Sequence, residues 1–353
     1  MNKLDRYIAT QVLNAVAIIL LVVVGLDMIF EFVDQAGEMN DSYQLSNVLY
    51  YLLLRLPSRL YEFLPMASLI GCLVGLGMLA SNSELTVMRA AGVSIMRIVV
   101  SVLKPAMILA LVALILGEYV VPKTEQLAQS SRAMAQSGGK ALHSRHGVWH
   151  REGNEFIHIN AVEPGGLIHG ITRYKFNDDY QMISSSFAET GRFESDQWIL
   201  ENVKSTEFFG DHTAIQELAE ESWESGLTPT LLSVVVVDPT DLSIRGLWSY
   251  SRYLSSQGLN VDQYLLAFWG KVLQPIGILA LVLIAVSFVF GPLRSVTVGQ
   301  RVIAGVIVGL IFKFSQDLLG PASTVIGFTP MLAVAAPIVV CLIIGFWMLK
   351  KAG

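Results

Sequence analysis

The sequence predicts a helical membrane protein of six transmembrane helices, with a β-rich domain of sandwich or jelly-roll type inserted between the third and fourth. Three observations carry this. The 353 residues are 53% hydrophobic and only 15% charged, with a mean hydropathy of +0.55, whereas a soluble chain carries about 25% charge. Six apolar runs are each long enough to cross a hydrocarbon core, which takes roughly 20 helical residues. One long polar segment divides them into two sets of three.

The spans are expected at 8–32, 47–80, 97–121, 263–290, 300–321 and 329–349. The domain plan is therefore 1–123, 124–262 and 263–353. The first apolar run has no small-residue cleavage site after a short core, so it reads as a retained span and not as a signal peptide. Cys72 and Cys341 both lie in apolar runs, and no cysteine falls in the polar segment, so no disulfide framework is indicated.

Orientation follows from Lys and Arg near the span ends. One side collects Lys3, Arg6, Arg89, Arg97, Arg294, Arg301, Lys350 and Lys351. The other side has the acidic turn from Asp34 to Asp41 and the insertion. Both termini are expected in the cytoplasm, and the insertion in the opposite compartment, which in a Gram-negative bacterium is the periplasm. Residues 124–262 hold 19 acidic against 10 basic side chains, a net −9, while the remainder is +4.

The insertion reads as β. Gly147 to Asn160 alternates like a hairpin with Glu152-Gly153-Asn154 at its turn. Further strands are expected at Leu167–Phe176, Ile183–Phe193, Trp198–Phe209 and Leu231–Val237, at the close spacing of a sandwich or jelly roll. Its flanks read as helices. Glu125–Gln136 continues the third span up to Gly138-Gly139, and Asp241 or Ser243 caps a helix that runs through Tyr253 and ends at Gly258. His146, His150 and His158 read as strand residues.

Ionisable groups inside spans are costly and default to functional candidates. Asp27, Glu31 and Asp34 share one face of span one, and Arg55, Arg59 and Glu62 one face of span two. Glu118, Lys271, Lys313 and Asp317 lie in the outer parts of spans three to five. All fall in the half opposite the cytoplasm, the pattern of a polar cavity open at the outer leaflet. The bland expectation is pairing: Asp27 or Glu31 with Arg55 or Arg59, and Lys313 with Asp317. The alternative is ligand contact, for which Arg is well shaped where the ligand is a phosphate. Pro57 and Pro65 are expected to bend span two. Gly71 and Gly75, like Gly305 and Gly309, have the spacing of close helix packing.

Between spans two and three, Asn82 to Arg97 reads as a short helix of its own over 82–92. Asn82 or Ser83 is expected to cap it, Glu84 suits its positive end, Arg89 falls near its end, Gly92 stops it, and Ser94 caps the helix after it. A capped helix between two spans is a candidate handle for another protein. No phosphate loop, paired His and Cys set or serine-nucleophile elbow occurs. The chain is expected to be non-catalytic, with no metal, no cofactor of its own and no nucleic-acid partner.

Several short stretches, in order, carry a resemblance: Leu4-Asp5-Arg6-Tyr7-Ile8, Phe32-Val33-Asp34-Gln35, Leu64-Pro65-Met66-Ala67, Gly75 to Ala80, Ser83-Glu84-Leu85, Gly117-Glu118-Tyr119-Val120, Phe290 to Val296 and Gln316 to Pro321. With them the chain resembles, end to end, the LptF/LptG family of lipopolysaccharide-export permeases. The resemblance implies half of an ABC transporter, with six spans and a periplasmic β-jelly roll. It implies pairing with an LptF-like permease, an LptB-like ATPase dimer that binds ATP–Mg, and an LptC-like partner that receives lipopolysaccharide taken from the outer leaflet of the inner membrane.

The 82–92 helix corresponds to the family's coupling helix, so Glu84, Arg89 and Gly92 are expected to transmit nucleotide-driven motion. Arg55, Arg59, Arg132, Lys271 and Lys313 are expected to hold phosphates or core acids, and aliphatic residues of spans one and five to line an acyl cavity. Where relatives often carry Lys near the outer end of span one, this chain has Glu31. The competing expectations are an exporter of another amphiphile, such as a lipoprotein, and a membrane scaffold or sensor whose β domain binds a ligand.

Overall fold

The computed structural model describes residues 3–137, 148–162, 166–229, 232, 238–256, 260–291 and 296–352. Gly138-Gly139, His146, Gly258, Pro292–Ser295 and most of Leu231–Val237 lie outside them. Among the described residues, six helices are long and apolar enough to cross a membrane. They are α1 (Lys3–Ala36), α2 (Leu45–Ser81), the run formed by α4 (Ile95–Ile115), a π-helical turn (Leu116–Val120) and α5 (Val121–Ser137), then α7 (Asp262–Phe290), α8 (Val298–Ile326) and α9 (Pro330–Ala352). Two shorter helices are α3 (Glu84–Ala90) and α6 (Ile244–Ser256). Helix is the form that satisfies every backbone donor within one segment, as lipid requires.

The chain divides into two compact units. The first is Met1–Ile29, Leu56–Val120 and Ser243–Gly353; the second is Phe30–Arg55 and Val121–Leu242. The core of the first unit joins Ile8, Val12 and Val16 of α1, Leu69, Leu73 and Leu76 of α2, Ile98 and Val102 of α4, and the run Ala280–Val286 of α7. That last run is buried on every side, as a helix apolar all round must be. Glycines set the spacing. A Cβ on Gly71 would lie 2.5 Å from the Val16 Cα, and one on Gly75 3.1 Å from the Gln11 carbonyl oxygen. Gly305 and Gly309 meet Leu73 and Met66 of α2 in the same way. Both glycine pairs thus pack within the chain.

In the second unit, six antiparallel strands form one sheet in sequential order. They are β1 (Val148–Glu152), β2 (Glu155–Val162), β3 (Ile168–Phe176), β4 (Met182–Glu194), β5 (Gln197–Phe209) and β6 (His212–Trp223). The inserted β domain is present, and its described strands run as a meander. Gly153, at φ 56°, makes the expected first turn. Strand β6 was not expected from the sequence. Its Glu, Ala and Leu content favours helix, yet it pairs in register with β5 from Trp198↔Trp223 to Phe209↔His212.

The sheet is strongly curled. Arg173 on β3 donates to Glu155 on β2 (2.6 Å) and to Glu221 on β6 (2.8 Å). Strands three places apart in a flat sheet would stand about 14 Å apart, beyond that reach. Past β6, the Ser225 hydroxyl and the Gly226 amide donate to Glu152 at the end of β1, at 2.6 and 2.7 Å. Ile157, Ile159, Ile168, Trp198 and Leu200 fill the inside, where the Trp198 indole donates to the Leu227 carbonyl at 2.6 Å.

His150 and His158 do sit on strands, and burial holds both below the ordinary histidine value, with Glu152 opposing the shift at His150. The linkage has one sign. Above pH 6.5 both are neutral, folded or unfolded; below it the unfolded chain takes the proton first and the sheet loses stability. The full-length protein in detergent should therefore lose amide protection in β1 and β2 as pH falls through 6.5, by up to about 1.4 kcal/mol per pH unit for each histidine. A His150→Gln, His158→Gln variant should flatten that dependence.

Candidate functional site

The charged residues of the spans are built into networks. In the second unit, Arg55 of α2 donates to Glu31 of α1 at 2.6 Å, and its Nε stands 3.2 Å from Glu125 of α5. The Glu125 side chain is 1% exposed. Tyr51, one turn earlier on α2, lies under two guanidinium groups, Arg55 at 5.5 Å and Arg132 at 5.3 Å from its ring centre. Arg132 donates to Glu38 at 2.5 Å, and Gln136 donates to the same carboxylate at 2.9 Å.

In the first unit, Arg59 pairs with Asp27 at 3.1 Å and Glu62 at 3.0 Å. Lys313 of α8 also reaches Glu62, at 2.9 Å. The expected Lys313–Asp317 pair is thereby corrected: the ammonium donates to another helix, and Glu62 is shared by two cations. Pairing of Asp27 and Glu31 with the arginines is as expected: Arg59 stands beside Asp27 and Arg55 beside Glu31.

Lys271 has a different setting. It is 4% exposed, donates to the Gly117 carbonyl at 3.1 Å and lies 5.1 Å from the Tyr61 ring centre. Gly117 belongs to the π-helical turn, where widened backbone bonds re-aim carbonyls. The next residue, Glu118, accepts from the Ile244 amide at 2.7 Å and so caps α6, helped by Ser243, whose hydroxyl accepts from Gly246 at 3.0 Å. Of the cations expected to meet phosphates, Lys313 is thus the most exposed, at 47% of its side chain, and Arg55, Arg59 and Arg132 lie at 15–18%. Lys271 is inside the protein.

The handle between α2 and α4 is a helix, as expected, but it begins differently. Ser83 adopts the left-handed conformation at φ 62° and makes no side-chain cap. The Glu84 carboxylate instead accepts from the Tyr7 hydroxyl at 2.8 Å. The far end is a Schellman closure: Val93 donates to the Met88 carbonyl at 3.1 Å and Gly92 to that of Arg89 at 3.0 Å, with Gly92 at φ 86°. Ser94 then accepts from Arg97 at 3.3 Å and starts α4. Leu85 anchors α3 to the core, while Arg89 and Val87, the latter 66% exposed, face outward.

Gly92→Ala has room for the methyl group but not for the backbone, since nothing lies within 4 Å and φ is positive. It should cost about 1–2 kcal/mol locally and show as faster exchange at Val93 and Ser94, with expression unchanged.

Neither Tyr7 nor Glu125 was picked out as functional from the sequence. Glu125 had one usable signal: it lies seven residues after Glu118, two helical turns along the same run. Arg301, counted among the basic residues near the span ends of one side, is buried, at 1% exposed.

The model of the family described as lipopolysaccharide export system permease LptF/LptG matches residues 6–351. The chain is 37% identical over 352 residues to the lipopolysaccharide export system permease protein LptG of Escherichia coli (strain K12), covering 99% of this chain and 98% of that protein. It is 35% identical over 353 residues to the protein of the same name from Haemophilus influenzae, covering 99% of each. With six membrane-spanning helices and a β domain inserted after the third, the chain belongs to the LptF/LptG family of lipopolysaccharide export permeases.

Proposed function

We propose that this chain is the transmembrane subunit of an ABC transporter that extracts lipopolysaccharide from the outer leaflet of the inner membrane. In this reading both termini and α3 are cytoplasmic and the β domain is periplasmic. An LptF-like permease covers the open spans, an LptB-like ATPase dimer with its ATP–Mg grips α3, and an LptC-like protein takes the lipid onward. The chain itself is non-catalytic.

One observation carries the substrate assignment. Spans α1 and α8 are the least covered by the rest of the chain, 22% and 17% buried in their most apolar stretches, against 67% for α2. Each presents an apolar face, Ile18, Leu21 and Leu26 on α1 and Ile303, Ile311 and Leu318 on α8. Lys313 lies on α8 among these residues, with Arg59 sharing its carboxylate. Acyl chains suit the faces, and phosphates suit a Lys313 ammonium that is 47% exposed and shares the half-exposed Glu62 with Arg59. Arg55, held by buried Glu125, is better placed to hold helices together.

The test is a photo-crosslinker at Leu318 in cells that also make the partner subunits. A lipopolysaccharide adduct is expected, weakened several-fold by Lys313→Ala. A lipoprotein adduct instead would favour the other exporter, and a chain that never copurifies with an ATPase would favour the scaffold.

A further inference from the structure

The two least covered spans each make a polar contact with the segment around α3. On α1, the Tyr7 hydroxyl donates to Glu84, the first residue of α3, at 2.8 Å. On α8, the Arg301 guanidinium donates to the Gly77 carbonyl of α2 at 2.6 Å, seven residues before Glu84. Arg301 is 1% exposed. A Cβ on Gly77 would lie 2.7 Å from its terminal nitrogen, so glycine is what lets the guanidinium reach the backbone. A second tie holds the base of α1: Asp5, 1% exposed, accepts from Ser101 at 2.7 Å and Lys104 at 2.5 Å, both on α4.

These contacts share a geometry. Charge-assisted and buried hydrogen bonds are short and directional, so a displacement of α3 by about an ångström or more must either break them or carry their helices along. A helix is stiff along its axis, so motion applied at the first turns of α1 and α8 reaches their far halves, where Asp27 and Lys313 lie. We propose that Tyr7 and Arg301 are the positioning residues through which α3 moves α1 and α8. Tyr7 acts on Glu84 directly, and Arg301 acts through the end of α2. The inference rests on the permease reading above and adds the route by which work done at α3 reaches the lipid-facing spans.

The experiment uses the complete transporter in lipid nanodiscs, with ATP hydrolysis and released lipopolysaccharide measured on one sample. Tyr7→Phe removes one oxygen from a residue 40% exposed. It should leave assembly intact and hydrolysis within about twofold of wild type, while lipid released per ATP falls about fivefold. Arg301→Met should do the same, and Arg301→Lys should restore part of the loss.

An unchanged ratio of lipid to ATP in both Tyr7→Phe and Arg301→Met overturns the inference and leaves the permease reading standing. Parallel loss of hydrolysis and release, at constant ratio, also overturns it, because that is what general damage does. If Arg301→Met fails to assemble, Tyr7→Phe decides alone. A wild-type complex that hydrolyses ATP and releases no lipopolysaccharide removes the permease reading, and this inference with it.

Discussion

Arg55→Met should be the most damaging single change in the charged network. It strips the cation paired with Glu125, whose side chain is 1% exposed. Removing one partner of a buried ion pair costs about 3–5 kcal/mol, because the other charge is left in an apolar setting. The purified chain should therefore unfold several degrees earlier on heating, and cells should hold less of it. Arg55→Met combined with Glu125→Met should recover most of the loss, since an apolar replacement of both partners is close to neutral. Arg55→Lys should fall between, as one ammonium cannot address Glu31 and Glu125 with a planar fork. If Arg55→Met melts like wild type and lipopolysaccharide capture is lost, Arg55 serves the ligand and not the fold.

The second large effect concerns a methyl group. Gly71→Ala would place its Cβ 2.5 Å from the Val16 Cα and 2.7 Å from the Val16 nitrogen. Those are backbone atoms, so no rotamer change relieves the contact, and α1 must lift off α2. Overpacking of this kind costs about 1–3 kcal/mol and displaces the helices. Gly25→Ala on α1 is the matched control: nothing lies within 4 Å of its Cβ, and replacing a helical glycine gains up to about 1 kcal/mol. Thermal denaturation of both variants in one detergent should move in opposite directions. Equal melting of the two would mean that α1 and α2 are not in close contact there.

The sequence was most informative where a single local rule decides the outcome. Length and hydropathy located six spans because lipid leaves the backbone few alternatives. Gly92 and Ser94 were legible for a similar reason, each needing only its own conformation and its neighbours. The misses share a cause of the opposite kind. Lys313 has an acid four residues away, and local spacing favours that pair; its hydrogen bond goes to Glu62 because the packing of α8 against α2 brings the two together. Ser83 looked like a cap, yet the strong acceptor near the start of α3 is Glu84, which takes the Tyr7 hydroxyl from a residue 77 positions away. Arg301 read as a span-end charge marking one side of the membrane; its burial depends on the absent side chain at Gly77, which no periodicity announces. Strand β6 has helix-forming composition and exposed side chains, and only its ladder to β5 makes it a strand.

The thin cover of α1 and α8 also bears on supply inside the cell. A copy inserted alone would turn Lys313, 47% exposed, and Glu62, 38% exposed, toward acyl chains. A charge facing the middle of a bilayer costs at least about 2.5 kcal/mol. Under the permease reading, a partner that covers these two helices removes that cost, and the chain made in excess of such a partner should be a short-lived surplus.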